Sequence, residues 1–326
     1  MSKTKMHIYG CGGAGINITR HTESRWDKED INVERIAEYD KTYIDTSRSN
    51  IKDGMKADDI YVIPNLDGSG KKRDENHVEI NNLIKDILVK HKPQDFNVVI
   101  FSLSGGSGSV IGPLLVSELL ARNIPVIAIT VGTDESVLTA KNTLNSLKSL
   151  EAIAKRNGKA LNFIYQHNQR GIPRGNVDSK ISSYLSGMRY LFSGNNEELD
   201  SQDLINWLDF TRTTSLSPQL GLLEVYSEAE HVLKNHPNPV SVASLYNDKD
   251  VHGLLVVPEY HCAGYTDLSG SQVDQLHMVI DVKNVPQIAK NIEDTLANQR
   301  EVAESRPSHG SLVNSKDNVD ESGLVL

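Results

Sequence analysis

The stretch Ser102-Leu103-Ser104-Gly105-Gly106-Ser107-Gly108-Ser109 constrains this chain more than any other. Before it runs Phe96-Asn97-Val98-Val99-Ile100-Phe101, a short apolar run rich in β-branched and aromatic residues, which reads as a buried strand. After it runs an apolar segment to Leu120 that reads as a helix starting at about Ser109. Pro113 has no N–H, and such a start places it among the first helical residues, whose N–H groups have no internal partner. The stretch is thus a strand-to-helix turn carrying three glycines and several hydroxyls. A tight turn needs only one glycine. Glycines let backbone N–H groups approach an anion closely, serines add donors, and a helix N-terminus adds partial positive charge. The combination predicts a phosphate cradle, and one that lacks the Gly-Lys-Ser/Thr of a Walker loop.

A second glycine loop opens the chain. Met6-His7-Ile8-Tyr9 reads as a strand, and Gly10-Cys11-Gly12-Gly13-Ala14-Gly15-Ile16-Asn17 matches G-x-G-x-x-G at its start. Taken alone, that pattern suggests a dinucleotide-binding oxidoreductase, which wants an acidic residue after the second strand. Asp45, after Thr42-Tyr43-Ile44, suits a ribose hydroxyl, although a turn residue there serves equally. A dinucleotide fold leaves the glycine loop at 102–109 unexplained, and no Tyr-x-x-x-Lys or His/Asp catalytic set stands out. A third polar loop, Asn65 to Lys72, contains Gly68, Ser69 and Gly70. It reads either as cover for a terminal phosphate, with Lys71 or Lys72 nearby, or as an ordinary exposed loop.

Charge and cysteine count narrow the setting. A net charge of −9 over 326 residues argues against binding nucleic acid through a basic surface. Two cysteines, Cys11 and Cys262, form neither a disulfide framework nor a zinc pattern. The first residues do not read as a signal peptide, and no apolar run reaches membrane-spanning length. The expectation is a soluble cytoplasmic protein with no membrane partner. Buried strands alternating with helices through Tyr165 predict a doubly wound, mainly parallel sheet, with its ligand at the carboxyl ends of the strands.

The two glycine loops, in this order and at this separation, resemble those of the tubulin/FtsZ family. Gly105, Gly106, Ser107, Gly108 and Ser109 resemble its signature Gly-Gly-Thr-Gly-Thr/Ser, and Gly12, Gly13, Ala14 and Asn17 its first loop. Asn168, closing the strand at 160–165, sits where the family places a guanine-contacting Asn. Asn176 or Asp178, at the start of a helix running to Phe192, would read the base or simply cap the helix. Glu198-Leu199-Asp200-Ser201-Gln202-Asp203 resembles the family's Asn-x-Asp-x-x-Asp loop, with Glu198 replacing the Asn. By composition alone Asp200 and Asp203 are an acidic first turn of a helix from Leu204 to Phe210. The resemblance makes them catalytic toward the nucleotide of an adjacent subunit.

The resemblance implies GTP and GDP as ligands, with Mg2+ accompanying them, a homopolymer built head to tail, and GTP hydrolysis between subunits. It divides the chain into a GTP-binding domain (1–172), a central helix (173–197), a smaller α+β domain at the longitudinal contact (198–284), a long surface helix (285–305) and an acidic tail (306–326) that contacts the next subunit. Strands are expected at 221–225, 240–245, 253–257 and 275–280, and the scattered histidines are read as structural or surface residues. Compactness and the acidic tail are most like the phage-encoded PhuZ type, whose filaments position phage DNA or its compartment; plasmid-segregating TubZ and cell-division FtsZ filaments are the alternatives within the family.

Overall fold

A computed structural model describes residues 4–28, 33–250, 253–268, 271, 273–306, 317–318 and 320–324. One ten-stranded sheet runs through the molecule. Its strands, in chain order, are β1 (Lys5–Cys11), β2 (Glu38–Asp45), β3 (Ile60–Val62), β4 (Phe96–Ser102), β5 (Val126–Thr133), β6 (Leu161–Asn168), β7 (Leu220–Tyr226), β8 (Ser241–Tyr246), β9 (Tyr260–Tyr265) and β10 (Gln275–Asp281). They lie side by side as β3-β2-β1-β4-β5-β6-β7-β10-β8-β9. Every pairing from β3 to β7 is parallel; β10 then runs antiparallel to β7 and β8. The expected doubly wound sheet is present, and the second half extends it rather than forming a sheet of its own. The join between β6 and β7 spans Leu161↔Leu220 to Phe163↔Leu222.

The helices are α1 (Gly12–Trp26), α2 (His77–Lys90), α3 (Gly108–Ala121), α4 (Val137–Asn157), α5 (Arg174–Leu191), α6 (Ser201–Leu208), α7 (Ala229–Asn235) and α8 (Val285–Glu304). Parallel strands buried on both faces explain the continuous apolar runs. In β4, Val98 and Ile100 face one core with α1 and α5, while Val99 and Phe101 face the other with α2, α3 and α4. The central helix α5 packs on α1, where Thr22 Oγ1 and Ser182 Oγ lie 2.8 Å apart and Trp26 Nε1 donates to Ser186 Oγ. Phe192, just past its end, stacks on Phe96 with centroids 4.2 Å apart. Helix α8 lies along α4: Ile292 and Leu296 are buried, Ile288 packs on the same core, and Gln299 donates to the Asp134 carbonyl.

Two local expectations are corrected. Residues 253–257 form no strand; the edge of the sheet is β9, parallel to β8. The apolar run Leu254 to Val257 signalled a strand, but only Leu254 and Val256 pack inward, Leu255 and Val257 are exposed, and Pro258 follows. Tyr260-His261-Cys262-Ala263-Gly264-Tyr265 is weakly apolar, as an edge strand facing water on one side is. The second correction concerns α3. It begins at Gly108, so Pro113 is its sixth residue and lies inside it. The missing N–H leaves the Ser109 carbonyl without its usual i+4 donor. Arg73 Nη2 donates to that carbonyl instead, at 3.3 Å. Most of the tail expected over 306–326, and His252, lie outside the described residues.

Candidate functional site

A polar cavity of about 490 Å³ opens where β1, β2, β4, β5 and β6 end. It has the position a parallel sheet assigns to ligands and a size within the usual range for them. The two glycine loops form its floor, touching backbone to backbone. Helix α1 starts directly from β1, with Gly12 at φ 67°. A Cβ on Gly12 would lie 2.7 Å from Gly108 N, and one on Gly108 would lie 2.7 Å from Cys11 O. Only glycine at both positions permits that approach.

The third loop belongs to the cavity wall. Gly68, Ser69, Gly70 and Lys71 line it, whereas Lys72 is exposed and pairs with Glu75 at 3.6 Å. Asn76 Nδ2 donates to the Gly68 carbonyl at 2.8 Å. Asn142 Nδ2, from α4, donates to the carbonyls of Lys71 and Ser104 at 2.8 and 3.1 Å, joining the third loop to the glycine loop at 102–109. Ser107 Oγ contacts both Thr46 Oγ1 and Ser69 Oγ, at 2.5 and 3.0 Å.

Of the residues expected to hold a nucleotide, Gly12, Gly13, Ala14, Asn17, Asp45, Gly68, Ser69, Gly105, Gly106, Ser107, Gly108 and Asn168 line this one cavity. Two do not. Ser109 turns inward in the first turn of α3, where its hydroxyl donates to the carbonyls of Gly105 and Gly106. Asn176 is exposed in the first turn of α5, while Asp178 reaches the wall. Burial raises the Asp178 pKa, against the charges of His21 and Arg174. Burial likewise raises that of Asp45, although Asn50 Nδ2 and the Thr46 N–H donate to its carboxylate at 2.9 and 2.8 Å. The Cys11 thiol is pushed well above its usual value by burial, which rules it out as a thiolate nucleophile. Asn168 Oδ1 is buried and accepts no hydrogen bond.

Sequence reasoning missed Asn50, Thr133, Glu135, Arg174 and Asn142. The first four sit in loops or at element ends, outside any motif. Arg174 and Glu135 form an ion pair at 3.3 Å beside the opening. For Asn142 there was a signal: it stands four residues before Ser146 and eight before Leu150, at one edge of the buried side of α4.

Asp200 and Asp203 are nowhere near this cavity. They lie beside Thr4 and Phe96, where β1 and β4 begin, whereas Cys11 and Ser102, where those strands end, line the glycine-loop cavity. A seven-residue strand at about 3.3 Å per residue separates the two places by roughly 20 Å. The two acids close a reciprocal cap on α6. Asp200 Oδ1 accepts from the N–H groups of Gln202 and Asp203, and Asp203 Oδ2 accepts from that of Asp200. Tyr260 donates to Asp203 Oδ1 at 3.3 Å. Glu198 sits in the left-handed region at φ 62°, a conformation Asn adopts far more readily, and Lys249 Nζ pairs with its carboxylate at 3.2 Å. Among the described residues no group of His, Cys, Asp and Glu could hold a metal ion, and no helix is long and apolar enough to cross a membrane.

Residues 199–285 match the family described as phage tubulin-like protein, C-terminal domain. The whole chain aligns, at 30% identity, with 99% of a phage tubulin-like protein from Pseudomonas phage phiKZ. Among solved structures, the protofilament of TubZ from bacteriophage PhiKZ superposes with a TM-score of 0.88 at 28% identity, covering 98% of this chain and 99% of that one. The phage tubulin PhuZ with GDP does so with a TM-score of 0.88 at 26% identity, covering 99% of each.

Proposed function

The chain belongs to the phage tubulin-like proteins, and on that premise we propose that it binds GTP in the glycine-loop cavity and polymerises head to tail, hydrolysing the nucleotide at each subunit contact. The observation that carries this reading is the separation of cradle and acids along single strands. One chain cannot bring Asp200 and Asp203 to its own phosphates, but a second copy stacked on the carboxyl ends of the strands presents that pair to the cavity below it. Two similar solved structures, a protofilament of TubZ from bacteriophage PhiKZ and a PhuZ201 filament, point the same way.

Within the cavity, N–H groups of Gly12 to Ala14 and Gly105 to Gly108, with the Ser69 and Ser107 hydroxyls, hold the phosphates. Asn168 Oδ1 is a buried acceptor without a donor, and guanine offers adjacent N1–H and N2–H groups there, whereas adenine N1 is itself an acceptor. Asp45, in the cavity wall, would accept from a ribose hydroxyl or from water on Mg2+; hydroxyls, amide oxygens and this one carboxylate form the hard oxygen set that ion takes. Mg2+ supplies charge neutralisation to the phosphates. At the contact, Asp200 Oδ2 takes no part in the helix cap and is the oxygen left to orient the attacking water and accept its proton. Asp203 holds Asp200 in place through the Asp200 N–H.

Residues 1–172 act as the GTP-binding part, 173–197 as the central helix, 198–284 as the longitudinal contact and 285–305 as the surface helix, and the tail over 306–326 adds affinity for the next subunit. Filaments of this kind would position phage DNA or its compartment in the host cytoplasm. The test is GTP turnover per subunit across protein concentrations, with ATP as control. A rate near zero below a threshold and rising above it is the expected result. A concentration-independent rate would mean that the site is complete within one chain.

A further inference from the structure

Arg73 follows the third loop and is tucked between α3 and α4. Its Nη2 donates to the Ser109 carbonyl and to Ser149 Oγ, at 3.3 and 3.4 Å. Its Nε is buried and unbonded, and among the described residues it forms no ion pair. A partly buried guanidinium without a carboxylate is costly, and burial alone lowers its pKa. The proline at position 113 makes the arrangement available, because it frees the carbonyl that Arg73 grips. That carbonyl belongs to the residue whose hydroxyl clamps Gly105 and Gly106, and it is next in sequence to Gly108 in the cavity wall.

Resting on the nucleotide reading above, we infer that Arg73 is a positioning residue for the polyphosphate: from behind the signature loop it supplies the positive potential that the bound phosphates satisfy, and it ties the third loop to the first turn of α3. Without nucleotide the charge is uncompensated and opposes folding. With nucleotide it is compensated through the loop. A residue placed for packing alone would affect all nucleotides equally and would stabilise the empty protein.

The experiment compares wild type, Arg73→Met and Arg73→Lys for binding of GTP, GDP and guanosine by calorimetry, and for thermal unfolding without nucleotide. Arg73→Met is expected to weaken GTP about fivefold and GDP about twofold and to leave guanosine unchanged, in order of ligand charge. Its empty form should unfold close to the wild type, because relief of the unpaired charge offsets the donor lost to the Ser109 carbonyl. Arg73→Lys keeps the charge but not the fork, so the ratio of GTP to GDP affinity should persist even if both decline. That variant carries the test should Arg73→Met not fold. An equal loss for all three ligands, or a collapsed ratio in Arg73→Lys, would overturn the inference while leaving the nucleotide site standing. A wild type that binds no GTP would overturn the nucleotide reading and this inference with it.

Discussion

Gly106 lies directly beneath Ser69: a Cβ on Gly106 would sit 2.0 Å from Ser69 Oγ and 3.0 Å from Lys71 Cα. The third loop therefore rests on the signature loop with no room for a methyl group. Gly106→Ala must turn the Ser69 hydroxyl away from the signature loop and press on Lys71 Cα, disturbing one wall of the cavity. GTP affinity is expected to fall at least roughly tenfold, about 1.4 kcal/mol, in a titration followed by calorimetry. Unaltered affinity would show that the loop does not touch the nucleotide.

The same loop is held from the other side by Asn142. Asn142→Ala removes one buried and one partly buried hydrogen bond to carbonyl groups and should cost about 1–2 kcal/mol of stability in urea unfolding. The loss should be local. Amide hydrogen exchange over residues 68–72 is expected to rise more than over β5 or β6.

Cap and chemistry are separable at Asp200. Asp200→Asn retains an acceptor for the Gln202 and Asp203 N–H groups, since Asn caps helices as well as Asp does. Its melting temperature should stay near the wild-type value while assembly-dependent GTP turnover is lost. Asp200→Ala should lose turnover and, with the cap, about 1 kcal/mol of stability. Normal turnover in Asp200→Asn filaments would remove the carboxylate from the reaction.

Stability should depend on pH through His236. Its side chain is fully enclosed, with Nδ1 2.9 Å from Asp281 Oδ2 and Nε2 2.9 Å from Glu224 Oε2. Burial alone would lower its pKa; hydrogen bonds to Asp281 and Glu224 outweigh burial and raise it from 6.5 to about 9. A histidine bound more tightly to its proton when folded stabilises fully below about pH 6.5, and that stability is lost as pH rises through about 9. The Asp281 pKa is depressed, with the His236 hydrogen bond overcoming burial, so its share is present above about 3.8 and is lost as pH falls. Urea unfolding from pH 6 to 10 should show a decline in wild type that His236→Gln lacks.

The parallel half of the fold was legible because burial on both faces writes each strand as an unbroken apolar run, as in Val98 to Phe101. The two glycine loops were legible because close backbone contact tolerates no other residue. The edge strand β9 was not, since its inward positions, Cys262 and Gly264, carry little apolar signal, and the run at 253–257 drew attention away from it. The interior place of Pro113 was hidden because the compensating donor, Arg73, lies 40 residues earlier. In the site, Asn168 was found through a resemblance rather than through its own chemistry. Arg174, Glu135 and Asn50 reach the cavity from a helix start and two loops, and no spacing within the chain encodes that meeting.

The parallel strands place cradle and acids at opposite ends, so the molecule is an arrow, and stacked copies inherit its direction. At one tip of such a stack the terminal subunit offers a loaded cavity that no neighbour's acids have reached. At the other tip the acids project into water with nothing to act on. The two tips are therefore chemically unlike: on the proposed reaction, the newest subunit at the first would keep its nucleotide uncleaved until the next one arrives. Growth by that reaction would carry a clock, started at each addition and read out at one end only.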